Sequence, residues 1–183
     1  ARQLVCDYAL DQGFDWLVML DDDATFPSDF IRRMLLHDKE VVCALAYQRK
    51  PPYLTCAFET EKPDGVMGVP MEGIEHTGLR KVDVSGFHCS LIKTSAIKKL
   101  REGTKDAAGK VLVPGTRAYF GGFGEVGPDG KPMNIGEDFK FCLALRKVGV
   151  QVHVDTEVIA GHIASAPVID EAYKAAFSAG RAP

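Results

Sequence analysis

The sequence has no apolar run approaching the roughly 20 residues needed to cross a bilayer, and no secretory signal segment. It has no block of Lys and Arg. Its 22 basic and 25 acidic residues give a net charge of −3 and a pI of about 6.0, so no nucleic-acid-binding surface is indicated. It has no C-x-x-C pair. The five cysteines, Cys6, Cys43, Cys56, Cys89 and Cys142, are odd in number, and several sit in apolar runs (VVCALAY, FHCSLI, FKFCLAL). There Cys behaves as a small buried hydrophobe. A disulfide scaffold is excluded, and a reduced, cytoplasmic protein is expected. No internal repeat or interdomain linker interrupts the chain. There is no initiator Met either: ARQLVCDYAL opens as if partway along a helix, so residues upstream of Ala1 are expected.

What is present is ordinary for a globular domain. At 183 residues, with 46% hydrophobic and 26% charged, the chain suits one domain over 1–183, with 165–183 as a C-terminal tail. Leu4, Val5, Tyr8 and Ala9 are spaced for a helix over 2–12 that stops at Gly13. Trp16–Leu20 and Val41–Tyr47 are short continuous apolar runs, the pattern of strands buried inside a parallel sheet. Pro27-Ser28-Asp29 opens a helix with Ser28 as its cap. Short strands and turns are expected over 54–78. Arg80–Val84 alternates as an antiparallel strand does. His88–Ile92 reads as a strand, followed by a helix that Thr94 can cap. Residues 102–135, rich in Gly, Pro and charge, read as a long functional loop or lid. A helix over Glu137–Val148 stops at Gly149. Strands follow at 150–154 and 156–163, and a weakly amphipathic tail helix at 168–180. Alternating strands and helices followed by short antiparallel pieces predict an α/β fold with a mixed, mainly parallel sheet flanked by helices.

Three places carry chemistry. Asp21-Asp22-Asp23 ends the first apolar strand. Three adjacent carboxylates repel one another unless something positive sits there, and open α/β sheets bind ligands at the carboxyl ends of their strands. Asp21 and Asp23 therefore read as a site for a hard divalent cation and the nucleotide phosphates it bridges. The plain alternative is a solvated turn, and Asp22 reads as structural. Gly136-Glu137-Asp138 starts a helix. Acids there suit the helix dipole without any function, and equally one of them suits a general base acting on a substrate hydroxyl. His162, in Gly161-His162-Ile163 just past a strand, is either a satisfied structural histidine or a nitrogen ligand for a cation such as Mn²⁺. His37, His76, His88 and His153 have no spacing that recommends them as ligands.

Taken in order, WLVMLDDDATFP, VSGFHCSLIKTSAI, GEDFKFCLALRKVGVQVHVDT and AGHI resemble the catalytic core of GT-A-fold glycosyltransferases, with the family 2 enzymes and small phage or bacterial relatives most alike. The resemblance runs from about residue 1 to residue 164. It implies a Rossmann-like GT-A sheet and transfer of a sugar from a nucleoside-diphosphate sugar to an acceptor hydroxyl, with inversion, in the presence of Mn²⁺ or Mg²⁺. Asp21-Asp22-Asp23 then stands for the D-x-D motif. Asp21, Asp23 and His162 hold the metal, and Asp21, Asp22 and Gly86 lie against the donor. Glu137 and Asp138 correspond to the E-D pair, with Asp138 as the catalytic base. Ser85-Gly86-Phe87 borders donor sugar and acceptor, Gly86 letting backbone approach the ligand. The loop Arg49-Lys50-Pro51-Pro52-Tyr53 faces donor phosphates or acceptor, or is a plain surface loop. Relative to the family, the opening nucleotide-binding strand and its base-reading acid lie upstream of Ala1. No Q-x-x-R-W motif of polysaccharide synthases occurs. Two other readings use the same residues: a nucleotidyltransferase of related fold, and a non-catalytic module that binds a nucleotide sugar or a partner.

Overall fold

The computed structural model describes residues 1–60, 68–120, 125–126, 132–133, 135–163 and 168–180. In chain order the elements are α1 (Arg2–Asp11), β1 (Trp16–Leu20), β2 (Ala24–Thr25), α2 (Phe30–Leu36), β3 (Val41–Ala46), β4 (Ala57–Thr60), β5 (Gly68–Pro70), β6 (Leu79–Val82), β7 (Val84–Ser85) and β8 (Cys89–Lys93). There follow α3 (Thr94–Glu102), β9 (Gly103–Lys105), β10 (Val111–Pro114), β11 (Glu125–Val126), β12 (Pro132–Met133), α4 (Glu137–Lys147), β13 (Val152–Ile163), β14 (Val168–Ile169) and α5 (Glu171–Ser178).

The main sheet runs β1-β8-β3-β13-β14, and β2 and β6 also pair with β13. The α/β class expected from the sequence is present. The mainly parallel sheet is not. Of the six strand pairs described in this sheet only β3–β13 is parallel. The reason is physical. A strand buried on both faces is continuously apolar whichever way its neighbours run, and β3 is buried at every position. The pattern cannot reveal that β8 lies antiparallel between β1 and β3. Because β8 opposes both of them, β1 and β3 point the same way, and β13 runs parallel to β3. The carboxyl ends of β1, β3 and β13 therefore share one edge, where β8 begins.

Helices cover both faces. Successive residues of a strand point to opposite sides, and β3 shows it: Val41, Cys43 and Leu45 join the core with residues of α1, α3 and α4, such as Cys6, Ile97 and Phe141. Val42, Ala44 and Ala46 join Phe30 and Met34 of α2. Truncating Leu45 to Ala in this packing costs about 2–5 kcal/mol. Among the described residues no helix is long and apolar enough to cross a membrane.

Several local expectations are corrected. Ser28 does not cap α2: Asp29 stands at that position with no side-chain cap bond, and the Phe30 N–H donates to the Pro27 carbonyl instead. Thr94 does not cap α3. Its hydroxyl donates to the Phe14 carbonyl at 2.5 Å, pinning the helix start to the turn before β1. The strands expected at 150–154 and 156–163 are one strand whose register on β3 shifts between Asp155 and Ile159. The region read as a long loop begins with a hairpin, β9–β10, while its stretches at 121–124, 127–131 and 134 lie outside the described residues. The tail helix α5 is properly capped, Asp170 accepting from the Tyr173 N–H at 2.9 Å, and it packs Tyr173 and Phe177 edge-to-face against Tyr53. Tyr53 is buried, so the 49–53 loop is not wholly a surface loop. The stops at Gly13 and Gly149 hold, both with left-handed backbone (φ 73° and 76°).

Candidate functional site

The sheet edge gathers the residues that the sequence singles out. Asp21 follows the last residue of β1. Glu137 and Asp138 form the first turn of α4, which Gly136 opens. One side chain joins them: Arg2, from the first turn of α1. Its Nη2 donates to Asp21 Oδ1 at 2.5 Å and its Nη1 to Glu137 Oε1 at 2.8 Å. Nη1 also donates to Asp138 Oδ1. Asp138 Oδ2 in turn accepts from the Phe87 backbone N–H at 3.2 Å. The two acids of the pair differ in setting. The Asp138 side chain is 24% exposed and that of Glu137 57%, so Asp138 is the one held inside.

Asp23 lies on the other side of the turn. Its carboxylate accepts from Arg49, and its carbonyl accepts from the Ile163 N–H at 2.7 Å. That bond ties the acidic turn to the end of β13, where His162 pairs with Ala24. His162 is buried, its Nδ1 2.9 Å from the Tyr47 carbonyl oxygen at the end of β3. A carbonyl only accepts, so Nδ1 carries the proton. Beside it stands His88, at the entry to β8, with ring centroids 4.0 Å apart and planes at 73°. His88 Nδ1 lies 3.2 Å from Asp21 Oδ2. Asp22 is exposed.

The electrostatics follow from these contacts. The hydrogen bond from His88, joined by those from Arg2, brings the Asp21 carboxyl down to about 2. Burial works against the charge of Arg2, but Asp138, Asp21 and Glu137 together hold its guanidinium above the ordinary value. Burial, then the neighbouring His88, pushes the His162 imidazole below its ordinary value. It is neutral near pH 7.

Gly86 borders the His88 ring. A Cβ there would lie 2.9 Å from His88 Nε2 and 3.2 Å from the Cys56 Cβ. The missing side chain makes room for the His88 ring. Beyond Thr25, a groove of about 380 Å³ opens along Phe26, Ile159, Gly161, Asp170 and Glu171.

Two residues of this cluster escaped the sequence reading, Arg2 and His88. Neither has a local signal. Arg2 looks like any first-turn residue, and His88 has no ligand-like spacing to another histidine. Only the strand order brings His88 beside Asp21 and His162.

The donors present fit a divalent cation in kind: carboxylates from Asp21 and Asp23, and an imidazole nitrogen from His162 that is buried and has no partner among the described residues. In position, no three His, Cys, Asp or Glu side chains among the described residues stand together closely enough to hold a metal. Arg2 and Arg49 hold the carboxylates instead.

Neither a protein-family model nor a curated protein matches the chain. Its backbone is similar to the crystal structure of A197 from STIV, with a TM-score of 0.52 and 17% identity over 89% of this chain. The chain spans 65% of that protein's length. A likeness at this identity concerns the fold alone.

Proposed function

We propose that the chain has a GT-A-type fold and transfers a sugar from a nucleoside-diphosphate sugar to an acceptor hydroxyl, with inversion. The observation that carries this reading is the meeting of Asp21 with Glu137 and Asp138, far apart in sequence, on one guanidinium at the sheet edge where Asp23 and His162 also lie. These are the residues to which the resemblance assigns donor, metal and base. The five cysteines are free thiols, in keeping with a cytoplasmic setting.

In this reading Asp23, Asp21 and His162 would hold Mn²⁺ or Mg²⁺, which would supply Lewis acidity to a diphosphate leaving group. Asp138 takes the proton from the acceptor hydroxyl. The Phe87 N–H fixes one of its oxygens and leaves the other, now on Arg2, to turn toward the acceptor. A positioned base contributes about 10²–10⁴-fold to rate. Glu137, more exposed, completes the negative wall that keeps Arg2 in place.

The test is calorimetry of UDP and GDP with and without Mn²⁺, on the chain and on Asp23→Ala, followed by donor turnover with Asp138→Asn. Nucleotide binding that needs Mn²⁺ and is lost in Asp23→Ala supports the site. Transfer that falls by at least about 100-fold in Asp138→Asn, with nucleotide binding intact, supports the base. Near-normal transfer by Asp138→Asn sinks that assignment.

A further inference from the structure

We propose that α5 is a strap across the acidic edge, latched by His76, and that its docking decides whether Arg49 masks Asp23. The strap does this whether or not the edge transfers a sugar.

α5 is about two turns long, and none of its residues is fully buried. A helix that short is not stable alone in water, so contacts with the rest of the chain hold it. They are concentrated in one patch. Tyr173 and Phe177, four apart and therefore on one side, meet Tyr53 edge-to-face with ring centroids at 5.3 and 4.8 Å. Lys174 Nζ lies 2.9 Å from Glu75 Oε1 and 4.8 Å from the centre of the Tyr47 ring. His76 spans α5 and β13: its Nε2 is 2.9 Å from Glu171 Oε2 and its Nδ1 3.6 Å from Glu157 Oε2. Tyr47, Tyr53 and Ile169 form a small cluster of their own, apart from the cores on either side of the main sheet. Segments with few buried contacts open without unfolding the rest, so α5 can leave while β14 stays paired to β13.

The patch is joined to the acidic turn through one loop. Tyr53 closes the loop that begins at Arg49: its N–H donates to the Lys50 carbonyl at 2.9 Å, and the Gln48 N–H donates to the Leu54 carbonyl at 2.8 Å. Tyr53 has left-handed backbone, φ 58°, which a bulky residue keeps only where its surroundings hold it there. The two rings of α5 are part of those surroundings. Without them the Tyr53 backbone relaxes, and the loop carrying Arg49 shifts with it. Arg49 is then drawn off the Asp23 carboxylate, a half-exposed pair that solvent already weakens. The same departure removes Asp170, Glu171 and Ala172, one wall of the groove beside Thr25 and Phe26. A docked α5 presents a walled groove and a masked Asp23. An undocked α5 leaves the groove open and Asp23 free.

The latch responds to pH. Both His76 nitrogens face carboxylates, so a protonated ring donates to Glu171 and Glu157 together, where a neutral ring donates to one of them. Glu171 first, then Glu157, raise the His76 imidazole above its ordinary 6.5. The other charges around it are Lys174 of α5, Glu72 and Glu75 of its own segment, and Arg80 of β6, which reaches Thr77. A value raised by docking means that protonation tightens docking. The strap is therefore tightest below pH about 6.5 and loosens as the pH rises through the raised value.

The test is hydrogen exchange of the full chain followed by NMR, with the β1–β8 amides as internal reference. Phe177→Ala should speed exchange over Glu171–Ser178 at least about tenfold, speed that of the Gln48 and Tyr53 amides with it, and leave β1–β8 unchanged. Arg49 should at the same time react faster with phenylglyoxal, while Arg2 does not. Coupling is reciprocal, so Arg49→Gln should raise α5 exchange about two- to fivefold. After correction for intrinsic rates, α5 should open about two- to fivefold more at pH 8 than at pH 5.5, and His76→Gln should abolish that difference. Fast α5 exchange with unchanged Gln48, Tyr53 and Arg49 in Phe177→Ala overturns the strap, as does unchanged α5 exchange in Arg49→Gln. A pH dependence that survives His76→Gln, or none in the wild type, overturns the latch. None of these readouts involves a nucleotide, so failure of the transferase reading leaves them standing.

Discussion

Arg2→Gln removes a cation that Asp21, Glu137 and Asp138 share, and its cost can be worked from the contacts. Hydrogen bonds to charged groups contribute about 1.5–3 kcal/mol each. Those to Asp21 and Asp138 qualify, since the three side chains are 21%, 26% and 24% exposed. Glu137 is 57% exposed, and its pair adds roughly 0–1 kcal/mol after solvent screening. Against this stands the desolvation of the guanidinium, which the wild-type protein bears and the variant does not. Because one group serves all three acids the terms do not add, and the net loss comes to about 2–3 kcal/mol. In a domain of this length that lowers the melting temperature by roughly 4–10 °C. The variant should also respond to cations where the wild type responds little, because Asp21 and Asp138 then face each other with nothing between them. Millimolar Mn²⁺ should restore most of the lost melting temperature, and 0.5 M NaCl should restore part of it by screening. The assay is thermal unfolding followed by circular dichroism at pH 7 in each condition. A variant as stable as wild type, indifferent to Mn²⁺ and to salt, would refute the view that Arg2 is the counter-ion of a cation-seeking site.

Other outcomes follow from the same geometry. Asp21 is depressed from 3.8 to about 2 in the folded chain. Its contribution, about 2 kcal/mol at most, is therefore fully present above pH about 4 and lost as the pH falls through about 2. Urea unfolding between pH 5 and 2 should show this decline in the wild type and a flatter course in Asp21→Asn, and equal slopes would remove Asp21 from the account. Gly86→Ala pushes a methyl to 2.9 Å from His88 Nε2 and 3.2 Å from the Cys56 Cβ. It should cost about 1–3 kcal/mol, read from the urea midpoint; an unchanged midpoint would mean that the ring position does not depend on Gly86. Thr94→Val removes the hydroxyl that donates to Phe14 and Asp15 and takes that donor from the Phe14 carbonyl, while the Asp15 carbonyl keeps the residue 94 N–H. A loss of about 1–2 kcal/mol is expected, read from the urea midpoint, and no change would show that water replaces the bond.

The elements whose pattern comes from burial alone were legible in the sequence. Trp16–Leu20 and Val41–Ala46 appear as strands where the apolar runs lie, and α4 starts and stops beside Gly136 and Gly149. What the pattern did not carry was direction, because a fully buried strand has the same composition in either orientation. Nor did it carry caps. Ser28 and Thr94 have the right chemistry for capping, but the first is bypassed by a backbone turn from Pro27 and the second is drawn away to the Phe14 carbonyl. Residue type sets what a side chain can do, while the tertiary partner within reach decides which of those things it does.

The same distinction explains the site. Acids are conspicuous in sequence because clustering them at a strand end is costly, so Asp21, Asp23 and the Glu137-Asp138 pair stand out. The groups that answer them are not conspicuous. Arg2 reaches Asp138 across most of the chain's length, and His88 reaches His162 only because β8 is inserted between β1 and β3. The division of labour at this edge is therefore visible only in three dimensions. Arg2, Arg49, the Phe87 N–H and the His88 N–H each pair with carboxylate oxygens here, while the Nε2 atoms of His88 and His162 have no partner among the described residues. Salt, which loosens the more exposed Arg49–Asp23 pair before the half-buried Arg2 cluster, should therefore free the Asp23 carboxylate before that of Asp21.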